Sequence, residues 1–212
     1  MPTSTHTQTT DILILGAGLA GLLAAADLQA SGFQSLVVDK GRGVGGRLAS
    51  RRIGSATFDH GAQFITARTP RLAALLNEWQ ELGLITEWYR GTNEAHIHWR
   101  GMPSMTAVPK HLTKSLNVRL EMKMTALKQE SSRWLATFEN GETVAANAVL
   151  LTAPVPQSLA FLDAGGVALE APMREQLIAS NGDVTLAKSY YPYGVVTQAG
   201  GTSQLHKPGL SR

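Results

Sequence analysis

The 212-residue chain contains no cysteine. This absence excludes disulfide bonds and thiol catalysis, and it removes the evidence for a secreted disulfide scaffold. Residues 1–10 are polar and rich in threonine, without the basic start of a signal peptide. The apolar run from Ile12 to Leu28 is interrupted by three glycines and an aspartate, so the sequence predicts no membrane span. We therefore expect a cytoplasmic protein whose residues 1–10 form a disordered tail.

Motifs for several reaction classes are also missing. There is no GxSxG elbow and no Ser/His/Asp order that would indicate nucleophilic hydrolysis. His96 and His98 alternate, but no acidic or further histidine partner is spaced to complete a site, so no metal is predicted. The formal net charge of +3 is modest, and a pI near 9.3 indicates anionic ligands without requiring nucleic acid or a membrane as partner.

A glycine-rich turn is the first feature that is present, and it follows the apolar residues 12–15. Its sequence is Gly16-Ala17-Gly18-Leu19-Ala20-Gly21. The glycines allow a tight turn, a close approach of the backbone to a pyrophosphate, and packing of the next helix on the strand. A second apolar run ends in Asp39, 23 positions after Gly16. An acid about 20 residues after the first glycine accepts from the adenosine ribose hydroxyls, so this order predicts a site for the ADP half of a dinucleotide.

A second glycine loop, Gly43-Val44-Gly45-Gly46-Arg47, follows the acid within a cluster of basic residues. The cluster comprises Lys40, Arg42, Arg47, Arg51 and Arg52. Such a cluster suits a doubly charged pyrophosphate and favours FAD over a nicotinamide cofactor. Two other interpretations stay open: an NAD(P)-dependent Rossmann reductase, which does not require this loop, and a solvated or nucleic-acid-binding basic patch, which would not require the interleaved glycines.

Several segments resemble a known family. Residues 39–47 are similar to the second FAD motif of the flavin amine-oxidase superfamily, and residues 58–66 and 151–157 resemble its renalase branch. Residues 99–102 match the same branch more weakly. The resemblance implies an α/β fold: a Rossmann-like FAD-binding domain with an incomplete mixed β-sheet substrate domain. Residues 11–70 and 110–163 would form the FAD-binding domain, and residues 71–109 and 164–212 the partial substrate domain.

The resemblance also implies which residues contact the cofactor. The backbone around Met124 would meet the adenine, and the loop containing Gln63 would lie near the flavin ring. His60 and Gln63 are the weak catalytic candidates, although His60 could equally fix its loop through a hydrogen bond to backbone or carboxylate. The predicted FAD-binding residues are Gly16, Ala17, Gly18, Leu19, Ala20, Gly21, Asp39, Lys40, Arg42, Gly45, Gly46, Arg47, Gly61, Ala62, Gln63, Phe64, Met124 and Ala153.

The activity that the family implies is hydride transfer from a small reduced substrate to flavin, with O₂ as electron acceptor. The substrate would be a dihydronicotinamide dinucleotide isomer or an amine. The sequence departs from the family near its end, where Gly182-Asp183 comes too early to be the closing Gly-Asp pair. Residues 187–196 look instead like an early strand of the substrate domain. We therefore expect a C-terminally truncated chain, and an inert fragment that binds nucleotide weakly or serves only as a partner subunit is the alternative.

Local patterns predict three further elements. A helix begins at Thr69-Pro70, presents one apolar face and is closed by Gly83. Residues 118–126 alternate strictly between apolar and polar, which is typical of one half-buried strand. Asn140-Gly141 predicts a hairpin with a type I′ turn.

Overall fold

The computed structural model describes residues 7–90, 97–184 and 195–198. Most of its strands form one sheet: β1 (Thr7–Leu15), β2 (Ser35–Val38), β7 (Val118–Arg119), β8 (Met124–Glu130), β9 (Arg133–Phe138), β10 (Thr143–Leu151) and β11 (Val195–Gln198). The order is β7-β2-β1-β10-β9-β8, with β11 also paired to β10. The first four strands of this order are parallel, whereas β8, β9 and β11 join antiparallel. This mixed sheet confirms the predicted Rossmann-like α/β fold.

Five helices and two hairpins complete the described part of the chain. The helices are α1 (Leu19–Ala30), α2 (Pro70–Glu81), α3 (Ala107–Leu112), α4 (Val155–Ala164) and α5 (Ala171–Val184). The hairpins pair β3 (Ser50–Ile53) with β4 (Ala56–Asp59), and β5 (Ile85–Arg90) with β6 (Ile97–Gly101). Within these described residues, every helix is too short or too polar to cross a bilayer.

The central strands are buried on both faces, as in parallel sheets covered by helices. Ile14 of β1 packs with Leu22 of α1, while its neighbour Leu13 packs in a second cluster with Leu162 of α4. A third buried cluster, around Trp79 of α2 and Trp99 of β6, joins α2, α3 and the β5–β6 hairpin. The sheet therefore holds the carboxyl ends of β1, β2 and β10 in fixed positions, and the loops that follow them form the candidate site.

The predicted helix at Thr69-Pro70 is confirmed. Thr69 is the N-cap, and its Oγ1 accepts a hydrogen bond from Leu72 N at 3.3 Å, with Pro70 in the first turn. Gly83 follows the helix with a φ of 69°, which is the left-handed geometry of a helix end.

The expectation of a disordered tail over residues 1–10 is wrong for its last four residues. Thr7 to Thr10 belong to β1, where they pair in parallel with residues 143–146 of β10. Threonine is β-branched and favours extended strands, so the polar residues at the N-terminal end of β1 still form part of the strand. Residues 1–6 lie outside the described residues.

The predicted single strand over residues 118–126 is also wrong. The strand is interrupted around Glu121, which has a φ of 58° and lies between β7 and β8. Around this break Glu121 N donates to Gly41 O at 3.0 Å, and Met122 N donates to Asp39 O at 2.8 Å. The sequence alternates without interruption here, so it gives no sign of the break. Hydrogen bonds to the distant residues Gly41 and Asp39 turn the backbone at this point.

The hairpin between β9 and β10 forms at the predicted place with a different turn. A type I′ turn needs positive φ at both central residues, but only Gly141 has it, at 82°. Gly141 N donates to Phe138 O, and Phe138 N donates to Glu142 O. Asn140 instead accepts from Glu142 N through its side chain. Three residues, 139–141, therefore lie between the bonded residues Phe138 and Glu142, one more than in the predicted two-residue turn.

The expected substrate-domain strand over residues 187–196 lies mostly outside the described residues. Its described part belongs to β11, which pairs antiparallel with residues 148–151 of β10 in the main sheet. Gly182-Asp183 lies within α5. The division of the chain into an FAD-binding and a substrate domain stays a prediction.

Candidate functional site

The first glycine loop is a tight passage from β1 to α1. Gly16 has a φ of 113°, and its N donates to Val38 O of the neighbouring strand at 2.8 Å. A Cβ on Gly21 would lie 2.0 Å from Gly16 O, so only glycine lets the helix approach the turn. Thr152, just after β10, supports the same turn by donating its hydroxyl to Leu15 O at 2.8 Å. Gly18 is the N-cap of α1, and Leu19 and Ala20 open the helix.

Asp39, directly after β2, links the first glycine loop to the residues that lead into the second. Its Oδ2 accepts from Ala17 N at 2.8 Å, and its Oδ1 accepts from Gly41 N at 2.7 Å. The predicted ribose acid is thus held by a backbone group of the first loop and by Gly41, which comes two residues before the second loop. Each carboxylate oxygen retains a second lone pair, which allows it to accept a further hydroxyl.

The second glycine loop lies directly against the first. Gly45 N donates to Ala17 O at 2.8 Å, and Gly45 and Gly18 form an isolated parallel bridge. Gly45 has a φ of 117°, which starts the 3₁₀ turn at Gly46–Leu48. A Cβ on Gly46 would be 3.2 Å from Gly18 Cα. The structure therefore brings together two loops that are separated by more than 20 residues of sequence.

The contact between the loops leaves space where a phosphate would lie. A Cβ on Gly18 would meet only Gly46 Cα, at 4.0 Å, so the backbone of Gly18 is accessible from one side. The first turn of α1 carries no acidic residue, so nothing opposes an anion at its N-terminus. These features fit the pyrophosphate of a dinucleotide cofactor.

The predicted basic residues differ in how they are held. Lys40 Nζ donates to Gln157 Oε1 of α4 at 3.1 Å, while Arg42 lies 3.9 Å from Glu121 with 94% of its side chain exposed. Arg47 is exposed, and its side chain has no ion-pair or hydrogen-bond partner within the part of the chain that the structure describes. Its guanidinium group is therefore free to bind an anion.

The loop at residues 60–64 docks onto the second glycine loop. Ala62 N donates to Arg47 O at 2.7 Å, and a Cβ on Gly61 would lie 2.1 Å from the same oxygen. His60 and Gln63 are exposed and make no hydrogen bond to another described residue. The hydrogen bond expected if His60 merely fixed its loop is thus not seen there, and the catalytic roles of both residues stay predictions.

Phe64, the last predicted residue of that loop, belongs to an aromatic cluster on the β5–β6 hairpin. Its ring lies 4.6 Å from His98, which stacks on Tyr89 at 4.1 Å. His98 Nδ1 is buried without a hydrogen-bond partner among the described residues. His96 lies outside those residues, and the described residues contain no group of three or more metal-ligating side chains.

Met124 and Ala153 lie on the sheet side of the loops. The Met124 side chain is buried in the core beside Phe138, and Ala153 O accepts from Ser158 Oγ at 3.2 Å. It is Met122, two residues before Met124, whose backbone bonds to Asp39. The contact of the Met124 backbone with adenine stays a prediction.

Four polar residues that the sequence patterns do not single out hold the loops in place. Thr152 supports the first loop, and Ser50, Asp59 and Thr106 form a hydrogen-bonded network behind the second. Thr152 and Asp59 lie in the segments that resemble the renalase branch, so that signal was available. Thr106 carries no sequence signal, because only the fold places it beside Leu48 and Ser50.

Comparisons with known proteins agree with this geometry, which is that of a Rossmann-like fold. A family model described as an NAD(P)-binding Rossmann-like domain matches residues 14–79. AofH of Mycobacterium tuberculosis, named as a flavin-containing monoamine oxidase, is 36% identical over 93 residues, which cover 44% of this chain and 20% of AofH. Renalase of Mus musculus is 28% identical over 165 residues, which cover 70% of this chain and 48% of renalase.

A solved structure extends the comparison to the fold. A putrescine oxidase variant matches with a TM-score of 0.68 at 15% identity, covering 82% of this chain and 64% of that chain. These findings confirm the resemblance to the FAD-dependent amine-oxidase superfamily, with renalase and a flavin-containing monoamine oxidase among the relatives. The chain spans less than half of the length of either curated relative.

Proposed function

We propose that this chain binds FAD, with the ADP half held between the two glycine loops. The observation that carries the proposal is the backbone contact between the loops, in which Gly45 N donates to Ala17 O at 2.8 Å. A single glycine loop would suit many dinucleotides. A second loop that carries Arg47, whose side chain has no partner among the described residues, adds a second set of groups for the pyrophosphate, which favours FAD over NAD(P).

Each part of the site has a physical role in this proposal. The free N–H groups at the start of α1, from Leu19 to Gly21, bind the pyrophosphate, and Gly18 lets its oxygens approach the backbone. Arg47 neutralises the phosphate charge from the opposite loop. Asp39 accepts from the ribose hydroxyls with the lone pairs that Ala17 and Gly41 leave free.

The proposed activity is that of an FAD-dependent oxidoreductase acting on a small molecule. When bound, FAD supplies the hydride-accepting ring and passes the electrons to O₂. The relatives named as amine oxidases support an amine as substrate. The resemblance to the renalase branch implies the other candidate, a dihydronicotinamide dinucleotide isomer. The loop from His60 to Phe64 would orient the substrate and exclude water, and we propose a cytoplasmic location without a nucleic-acid or membrane partner.

Titration of the full chain with FAD and, separately, with NAD(P) tests the cofactor. We expect FAD to bind more tightly and its fluorescence to change on binding. Arg47→Ala should weaken FAD about tenfold, the loss of one charge-assisted contact of roughly 1.4 kcal/mol. Arg133→Ala is the matched control, because Arg133 is an exposed arginine of β9 outside both loops. Tighter binding of NAD(P), without a flavin fluorescence change, would contradict the proposal.

Anaerobic flavin reduction tests the activity separately. The FAD-loaded chain is mixed with a dihydronicotinamide dinucleotide isomer, with a primary amine, or with buffer alone. We expect bleaching of the flavin absorbance by one of the two substrates and recovery when air is admitted. Bleaching at the buffer rate in every case would show that the chain binds FAD without catalysing the reaction.

A further inference from the structure

The second glycine loop ends in a segment that side chains from elsewhere hold in place. Leu48 closes the 3₁₀ turn, and Ser50 begins β3 two residues later. Thr106, only 8% exposed, accepts from Ser50 N at 2.6 Å, and its hydroxyl oxygen lies 2.6 Å from Ser50 Oγ and 3.3 Å from Leu48 O. The backbone that follows Arg47 is therefore bound to a buried threonine from the start of α3.

Asp59 organises this contact without touching either glycine loop. Its Oδ1 accepts from Ser50 Oγ at 2.6 Å and from Met105 N at 3.1 Å. Ser50 Oγ in turn accepts from Thr106 N at 3.2 Å. One carboxylate oxygen thus fixes both Ser50, beside the loop, and the backbone that carries Thr106. A carboxylate holds such donors more strongly than a neutral acceptor does.

The same segment is held from its other side by the residues that follow Asp59. Ala62 N donates to Arg47 O at 2.7 Å, and Gly61 lies too close to that oxygen to carry a Cβ. Residues 47–50 are consequently bound between Thr106 on one side and the 61–62 backbone on the other. Asp59 comes two residues before Gly61 and bonds to Ser50 within the held segment. The Arg47 side chain has no partner among the described residues. The position of its guanidinium group therefore depends on the position of the Arg47 backbone.

We propose that Asp59 is a positioning residue of the cofactor site, which acts through Ser50 and Thr106 to place Arg47 for the cofactor pyrophosphate. This inference rests on the proposed function, because it assumes that Arg47 binds FAD. Loss of the carboxylate would leave Ser50 Oγ and Met105 N without their acceptor and would release the backbone next to Arg47.

A double-mutant cycle with Arg47 separates positioning from general stability. Kd for FAD is measured by fluorescence titration for the full chain, Asp59→Ala, Arg47→Ala and the double variant. We expect each single variant to weaken FAD about tenfold, and Arg47→Ala to cost less than about threefold once Asp59 is removed. Additive effects would overturn the proposal, since a merely structural role of Asp59 would leave the contribution of Arg47 unchanged.

Two further variants keep the test informative if Asp59→Ala folds poorly. Asp59→Asn retains one oxygen acceptor and should restore most of the FAD affinity, while Ser50→Ala should reproduce part of the loss. Asp11→Ala is the matched control: the Asp11 carboxylate also accepts a backbone N–H, from Gln34 at 3.0 Å, but lies in β1 outside the loops. An effect of Asp11→Ala equal to that of Ser50→Ala would overturn the specific role.

Hydrogen exchange without any cofactor gives a readout independent of FAD. In Asp59→Ala the amides of Ser50 and Ala62 should exchange about tenfold faster, with the amides of β1 unchanged. Failure of the unaltered chain to bind FAD would overturn the proposed function and with it the cofactor role of Asp59. Normal FAD binding by Asp59→Ala, with unchanged exchange at both amides, would overturn the role of Asp59 alone.

Discussion

The two glycine loops use the same residue type for different physical reasons. In the first loop, space is the constraint: a Cβ on Gly16 would lie 2.4 Å from Thr152 Oγ1, and one on Gly21 would lie 2.0 Å from Gly16 O. In the second loop, a Cβ on Gly43 would meet nothing within 4 Å, and one on Gly45 or Gly46 would come no closer than 3.2 Å to its neighbours, so these two glycines are needed first for their positive φ. The first loop is thus packed tightly at the end of the sheet. The second is a surface turn, and residues 61–62 and Thr106 hold it against the first loop.

The largest expected effect comes from filling the crowded position of the first loop. Gly21→Ala places a methyl group against Gly16 O, and we expect a loss of about 3 kcal/mol in the free energy of unfolding. The helical preference of alanine, worth about 1 kcal/mol, does not offset this clash. Urea unfolding measures the change.

Gly43→Ala is the control for that substitution in the second loop. The added methyl group meets no atom, so we expect a change within about 0.5 kcal/mol. Equal destabilisation by the two variants would show that the loops do not differ in packing.

Asp39→Ala tests the carboxylate that follows β2 and bonds to the first loop. Its carboxylate holds Ala17 N and Gly41 N and is the proposed ribose acceptor, so we expect FAD binding to weaken by about 1.5–3 kcal/mol, or roughly tenfold to a hundredfold. Titration of the folded variant with FAD measures the loss. An unchanged Kd with an intact fold would refute the role of Asp39.

Thr152→Val sharpens the comparison by removing support from the first loop alone. The variant keeps the β-branched shape but loses the hydroxyl that donates to Leu15 O, so we expect a loss of about 1 kcal/mol in unfolding free energy. Thr125→Val is the matched control, since Thr125 of β8 donates its hydroxyl to Thr137 O of β9, away from both loops. FAD affinity should fall in Thr152→Val and stay constant in Thr125→Val.

The smallest effect is expected outside both loops, at the ion pair between α4 and α5. Both guanidinium nitrogens of Arg174 donate to Asp163 at 2.8 Å, and this hydrogen bonding lowers the pKa of the Asp163 carboxyl below its ordinary value. A lowered pKa means that the stabilisation is present near neutral pH and is lost as pH falls through the pKa of the folded state. The pair is exposed, so its contribution to stability is small.

Asp163→Asn should therefore lower the thermal midpoint slightly at pH 7 and leave it unchanged in strong acid, with FAD affinity unaffected at pH 7. Thermal unfolding across pH checks the first expectation. A larger fall of the thermal midpoint in acid than at pH 7 would contradict a stabilising role of the ionised Asp163 carboxylate.

The first loop, its helix and Asp39 could be predicted from sequence because their spacing is set by one continuous strand-turn-helix-strand unit. The helix at Thr69-Pro70 was predicted for the same reason, since its cap and its end are local. The prediction of one strand over residues 118–126 was wrong because hydrogen bonds to distant residues turn the backbone at Glu121. The prediction of a type I′ turn was wrong because the loop contains one more residue than such a turn. Apolar alternation continues through Glu121, so the pattern carries no sign of the break.

The sequence by itself determined the Rossmann-like fold class, the order of the two glycine loops and the residue types that suit a dinucleotide. Only the tertiary structure decided that Gly45 bonds to Ala17, that Asp39 is held by Ala17 and Gly41, and that Asp59 and Thr106 lie behind Arg47. The physical reason is that a strand-turn-helix unit is specified by neighbouring residues, whereas a surface turn takes its position from side chains that reach it only after the sheet has formed.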